Sequence, residues 1–193
     1  MARPREFEPT EALDQAMHLF WQKGYQDTSM ADLVQATGVS RYGFYNEFGD
    51  KHDLFIKAVE HYANTNIDMA LSPLEAADAS LPEIHAYFHY LSQAVEEGHE
   101  ANGCLIGNTT MELAQLDNSL SHLVETHYTR MTVAFRNALQ NAVQQGQLAS
   151  DADVAGYADF LVGVANGYLV CIRTNMTPEA IQRYLAVALE RLI

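Results

Sequence analysis

The chain has 193 residues, 48% of them apolar, enough for one large or two small domains with a sizeable core. Its formal charge of −14 excludes generic coating of nucleic acid, which depends on cationic neutralisation of phosphates, but leaves room for a local site. The charge is polarised: residues 1–57 hold 6 of the 11 Lys and Arg and 9 of the 25 Asp and Glu, a net of −3, and the remainder carries −11.

Residues 1–9 carry Arg3 and Arg5 without apolar periodicity and read either as a frayed terminus or as a flexible basic arm. A first helix is expected over 10–23, where Leu13, Ala16, Met17, Phe20 and Trp21 recur at helical spacing; Gly24 stops it. Residues 28–51, TSMADLVQATGVSRYGFYNEFGDK, read as two short helices joined by a tight turn. Thr28 or Ser29 caps the first of the pair, Met30, Leu33 and Val34 form its buried stripe, and Gly38 makes the turn. Ser40 caps the second, on which Phe44 and Phe48, four apart, face inward. Arg41, Tyr42, Gly43, Tyr45 and Asn46 are left facing outward.

That layout is a helix-turn-helix, whose second helix enters the DNA major groove with its N-terminal residues on base edges. Arg41, Tyr42 and Gly43 would be the base readers, since Arg is the commonest bidentate reader of guanine. Tyr45 and Lys51 are placed for phosphates. Thr28, Ser40 and Asn46 complete the DNA-facing set, with Arg3 and Arg5 added if the N-terminal arm reaches the backbone or minor groove. The run AMHLFWQKGYQDTSMADLVQATGVSRYGFYNEFGDKHDLF strongly resembles the tetracycline-repressor (TetR/AcrR) family. The Gly-Val-Ser turn, the Phe-Tyr pair, the second Phe and the Lys all fall in register over residues 10–56; the remainder resembles the family only in helix count and length. Many relatives have Gly where Tyr42 stands and a small hydroxyl residue where Gly43 stands. A glycine inside a helix costs about 1 kcal/mol against Ala, so a close backbone approach to DNA is one reason for it. Glu47 would repel phosphate or accept from a cytosine amine.

The next helix opens at Asp50 and runs to about residue 71, with Leu54, Phe55, Ala58, Val59 and Tyr62 as its stripe. Further helices are expected over 82–98, 103–114, 119–145, 153–174 and 177–192. The fold class is therefore all-α. A three-helix DNA-binding domain (1–49) is joined by a long helix to a helical ligand-binding and dimerisation domain (50–193), with about nine helices in all.

The last two helices carry more apolar residues than one narrow stripe requires: Tyr157, Phe160, Leu161, Val164, Tyr168, Ile181, Tyr184, Leu185 and Leu189, with Gly163 and Gly167 permitting close approach. All of these except Tyr168 and Gly163 are assigned to a homodimer surface, which the resemblance also implies. Candidate pocket residues are Tyr62, Tyr87, Phe88, Leu91, Cys104, Asn108, Met111, Tyr128, Met131 and Tyr168, mostly apolar and suited to a small, partly hydrophobic effector. Cys104, in a Gly-Cys-Leu run resembling one in electrophile-responsive members, reads as a sensor thiol or as an inert buried residue.

His85 and His89 share a helix face but lack a third and fourth ligand, so neither a metal nor a cofactor is expected. No catalytic triad or phosphate loop appears, and an enzyme is not expected. Two cysteines do not make a disulfide framework, and no leader or membrane-length apolar run is read, so the expected location is cytoplasmic with no membrane partner. The sequence thus points to a repressor that binds a palindromic double-stranded operator and is released by a small molecule; the alternative is a DNA-bound adaptor working through protein contacts.

Overall fold

The computed structural model describes residues 7–96, 102–113, 117–174 and 176–190, and among them all regular structure is helical. The segments are α1 (Pro9–Lys23), α2 (Met30–Thr37), α3 (Arg41–Phe48), α4 (Lys51–Tyr62), a π-helical turn (Ala63–Ile67), α5 (Asp68–Leu71), α6 (Leu81–Glu96), α7 (Leu105–Glu112), α8 (Asn118–Gln144), α9 (Val154–Cys171) and α10 (Pro178–Glu190). Because α4, the π turn and α5 follow one another without a break, the single long helix expected over 50–71 is present, with one over-wide turn in it.

Contacts divide the backbone into two compact units. The first holds α1 to α4, α7 and the start of α8; the second holds α5, α6, the rest of α8, α9 and α10. The division at residue 49 therefore needs correction. Leu54, Phe55, Ala58 and Val59 of α4 are buried with Ala16, Met17 and Phe20 of α1, and the Phe20 and Phe55 rings meet edge to face at 5.0 Å. This apolar face makes α4 a wall of the first unit rather than a strut beyond it.

The second unit is centred on an aromatic trio. Tyr87 and Phe88 of α6 lie 5.3 and 6.0 Å from the Phe135 ring of α8, and all three are buried. Tyr168 of α9 is fully buried, and its hydroxyl donates to the Leu91 carbonyl at 3.1 Å. Arg130 donates to both oxygens of Glu75, at 2.5 and 2.8 Å, and to Asp68. The Asn141 amide donates to the carbonyls of Ala77 and Ala79, which fastens the loop before α6 to α8.

One buried polar group stands out. His127 of α8 is 7% exposed, and its Nδ1 is the one sealed side-chain nitrogen or oxygen without a hydrogen-bond partner among the described residues. Burial, then the positive charge of Arg130, pulls its imidazole pKa down to about 4. The folded pKa thus lies below the ordinary value near 6.5. Stability is unaffected above that value and is lost as pH falls from about 6.5 towards 4, because the unfolded chain takes up a proton that the folded one refuses. Thermal melts between about pH 7 and 4.5 should show a declining midpoint. In His127→Asn the slope should shrink by the equivalent of about 1–3 kcal/mol at the acid end.

Candidate nucleic-acid interface

The turn between α2 and α3 is built from local chemistry. Ser29 caps α2: its hydroxyl oxygen accepts from the Asp32 N–H at 3.1 Å, and its own N–H donates to the Asp32 carboxylate at 2.8 Å. The Ser29 hydroxyl and then Lys23, 2.9 Å away, hold the Asp32 carboxyl well below the usual carboxylate range. Gly38 ends the helix at φ 68°, and its N–H donates to the Val34 carbonyl at 2.9 Å. Ser40 caps α3 by accepting from the Gly43 N–H at 3.1 Å. At the far end, the Lys57 ammonium donates to the Phe48 carbonyl at 2.8 Å. Both short helices are therefore closed at their ends.

Helix α3 has two unlike faces. Phe44 and Phe48 are buried with ring centroids 5.7 Å apart. Tyr42 and Tyr45 are 77% and 49% exposed, and Ser40, Arg41 and Asn46 are also exposed. Lys51 lies half-buried at the start of α4, its ammonium 4.3 Å from the Tyr25 ring centroid; burial lowers its pKa against the opposing pull of Glu112, Asp27 and Asp32. These residues share one region of chain with their backbone held fixed.

One expected DNA-facing residue is corrected. Thr28 is fully buried, and its hydroxyl donates to the Gly24 carbonyl at 2.6 Å, so it fastens the α1–α2 loop and is closed to a phosphate. Gly43 is half-buried, and a Cβ there would lie 3.0 Å from Val39 Cγ1 and 3.3 Å from Phe7 Cε1, so its own domain crowds the position. Arg3 and Arg5 lie outside the described residues.

The loop behind the interface is held by a residue that sequence reading missed. The Glu112 carboxylate, on the last residue of α7, accepts from the backbone N–H of Tyr25 at 3.0 Å and of Gln26 at 2.5 Å. Nearby, His52 pairs with Asp117, which also caps α8 by accepting from the Leu120 N–H at 2.9 Å. Hydrogen bonding to Leu120 and then to His52 pushes the Asp117 carboxyl below its ordinary value.

The pocket candidates divide between the units. Tyr62, Asn108 and Met111 belong to the first; Tyr87, Phe88, Leu91, Cys104, Tyr128, Met131 and Tyr168 belong to the second. Tyr62 packs edge to face on Trp21 at 5.0 Å. Asn108, Tyr87, Phe88, Cys104, Met131 and Tyr168 are buried, and Leu91 and Tyr128 are half-buried. Met111 is corrected as a wall residue, being 62% exposed. Burial and then Cys104 push the Tyr87 hydroxyl pKa upward.

The dimer candidates also need sorting. Leu161, Val164, Ile181 and Leu185 are buried inside their own chain and are closed to a second copy. Gly167 makes room for Tyr184, whose hydroxyl would sit 2.5 Å from an added Cβ and donates to the Val164 carbonyl at 3.3 Å. Phe160 is 44% exposed, Tyr157 and Leu189 are half-buried, and Val170 and Val187 are exposed apolar residues that the sequence reading passed over. The reading that no apolar run reaches membrane-spanning length is likewise corrected: α9 has 18 residues and meets that test by length and composition. Among the described residues, no three His, Cys, Asp or Glu side chains cluster as metal ligands.

Two capped helices about a left-handed glycine, the second anchored on one face and open on the other, define a helix-turn-helix DNA-binding regulator. The chain belongs to the TetR family: residues 12–58 match the model of the bacterial regulatory proteins of that family, and 80–188 match the tetracyclin repressor-like C-terminal domain. It is a transcriptional regulator and not an enzyme.

It is 30% identical to the HTH-type transcriptional regulator YezE of Bacillus subtilis (strain 168), over 83% of this chain and 84% of that one. It is 27% identical to the HTH-type transcriptional repressor ComR of Escherichia coli (strain K12), over 97% and 90%. Among solved structures it is similar to a cysteine mutant of the TetR family regulator CifR complexed with 26-bp double-strand operator DNA, with TM-score 0.82, 25% identity and coverage of 97% and 98%.

Replacing Glu112 by Ala should expose the Tyr25 and Gln26 amides to faster hydrogen exchange and cost about 1–3 kcal/mol of stability, as expected when charge-assisted bonds to backbone donors are lost. Unchanged exchange at those two amides would remove the carboxylate from this role.

Proposed function

We propose that the protein is a ligand-responsive transcriptional repressor. Two copies bind a palindromic operator through paired α3 helices, and a small, partly apolar or electrophilic effector releases them. The observation that carries this reading is the outward row on α3, Arg41, Tyr42, Tyr45 and Asn46, with Ser40 and Lys51 at its flanks and Phe44 and Phe48 fixing its orientation. Arg41 is the guanine reader, and the tyrosine hydroxyls, Ser40 and Lys51 serve phosphates. The repressor named among the relatives, and the operator-bound CifR structure, support the same reading. Such a protein works where the chromosome is, in the bacterial cytoplasm.

Pairing is supported by α9 and α10. Phe160, Gly163 and Val170 recur on one face of α9 at helical spacing, and an added Cβ at Gly163 would meet nothing within 4 Å. With Val187 of α10 they form an apolar surface that a second copy related by a two-fold axis would cover. A single recognition helix reads few bases, and a two-fold pair doubles the site.

The effector acts by preferring a subunit arrangement whose α3 helices are wrongly spaced for DNA, and releases it to the extent of that preference. The buried Cys104 favours an apolar effector over an electrophilic one, because a buried thiol gives a reagent little access.

Selection of bound DNA from random sequence should return a palindrome. Against it, Arg41→Ala should lose about 1–3 kcal/mol, roughly 5- to 150-fold in affinity, with relaxed choice at one base per half-site. Phe160→Asp should shift the protein to monomer in sedimentation and abolish operator binding. A protein that reads the palindrome as a monomer would refute the paired arrangement.

A further inference from the structure

We propose that His127 is the polar anchor of the effector site and that the effector is a neutral, compact, mostly aromatic molecule carrying one hydroxyl group, a phenol being its simplest form. This rests on the effector-responsive reading above and narrows it to a residue and a ligand class.

His127 is nine-tenths buried, and its Nδ1 is sealed and without a hydrogen-bond partner among the described residues. Its ring lies 5.2 Å from the tilted ring of Tyr128. One turn along the same face of α8 is buried Met131, and one turn further is Phe135, on which Tyr87 and Phe88 close. The imidazole therefore ends a stripe of aromatic and thioether surface. Such surface suits a flat apolar ligand, and the single polar group fixes its orientation.

The chemistry of the ring and its neighbours selects among ligands. Neutral imidazole has one nitrogen that donates and one that accepts. A hydroxyl can do either, so it satisfies Nδ1 in both tautomers, whereas a carbonyl or an ether satisfies only one. An anion is disfavoured by desolvation in an apolar core, and Arg130, close enough to act on the ring, already has Asp68 and Glu75 as its partners. A cation is disfavoured by desolvation in an apolar core. A neutral hydroxyl on an aromatic body is what remains.

The test uses the full-length protein on the operator recovered by selection, with 4-methylphenol, toluene and 4-methylbenzoate as probes. Calorimetry should show 4-methylphenol binding at least tenfold tighter than toluene, and no binding of 4-methylbenzoate. In His127→Phe, 4-methylphenol should lose tenfold or more while toluene loses nothing, and operator affinity without probe should be unchanged. His127→Asn, which keeps a polar atom near the Nδ1 position, should recover part of the loss and serves as the readout if the Phe variant does not fold. The 15N resonance of His127 Nδ1 should shift on addition of 4-methylphenol.

Equal binding of 4-methylphenol and toluene, undiminished 4-methylphenol binding in His127→Phe, or an unmoved Nδ1 resonance would each overturn the proposal. A metabolite panel separates this from failure of the parent reading. Compounds that release the operator equally from wild type and His127→Phe would sink the anchor alone; a panel that releases nothing from wild type would sink the effector reading with it.

Discussion

A helix can offer side chains to a partner in fixed geometry only if its opposite face is held. In α3 that constraint is met by two rings: Phe44 and Phe48, one turn apart, are buried and 5.7 Å from each other. Eight residues are too few for a helix to be stable by itself. Its persistence depends on these anchors, on the Ser40 cap and on the Lys57 ammonium at the Phe48 carbonyl. Everything outward on the helix inherits its direction from that arrangement. The nearby Lys51 is a different case, since its ammonium rests on the Tyr25 ring and must leave it or share it to meet a phosphate.

The same economy governs the loop behind α3. Tyr25 and Gln26 have backbone donors that no helix satisfies, and one carboxylate accepts from both. Glu112 comes from the end of α7, so the first unit is completed only when a later stretch of chain returns to it. The unit is discontinuous in sequence for a physical reason: α1 and α4 bury their apolar faces on each other, but the polar loop joining α1 to α2 needs an acceptor from elsewhere.

What could be read from the amino acids follows the range of the forces involved. The turn, the caps at Ser29 and Ser40 and the Phe44–Phe48 stripe are written within a few residues, and the helices stand where periodicity puts them. Thr28 was placed facing DNA because its neighbours in sequence do not show that its hydroxyl turns back to bond the Gly24 carbonyl; of the two hydroxyls offered as the cap, Ser29 takes that role. Glu112 was invisible because its partners lie 87 and 86 residues away. His127 was invisible for a related reason: its neighbours in sequence give no sign that its imidazole is sealed from water. On α9 and α10 the composition announced excess apolar surface but could not assign it. Leu161, Val164, Ile181 and Leu185 turned out to face inward, leaving Phe160, Val170 and Val187 outside.

That assignment bears on how α9 is understood. The helix is long and apolar enough for a bilayer by composition, and only 28% of it is buried in its own chain. Its 18 residues extend about 27 Å, at the short end of what a hydrocarbon core of roughly 30 Å accepts. Asp159 is exposed on it, and Asp153 caps its N-terminus by accepting from the Gly156 N–H. A carboxylate facing lipid would be costly, whereas at the rim of a protein interface it remains in water. The inner face is already committed, with Leu161, Ala165 and Tyr168 buried and the Tyr168 hydroxyl bonded to the Leu91 carbonyl. A helix with one face locked into its own core and the other lined by Phe160, Gly163 and Val170 fits pairing with another helix, because the glycine lets a neighbouring backbone approach while the flanking side chains supply the buried area. The apolar excess that mimics a membrane span is thus what two-fold pairing of this chain would require.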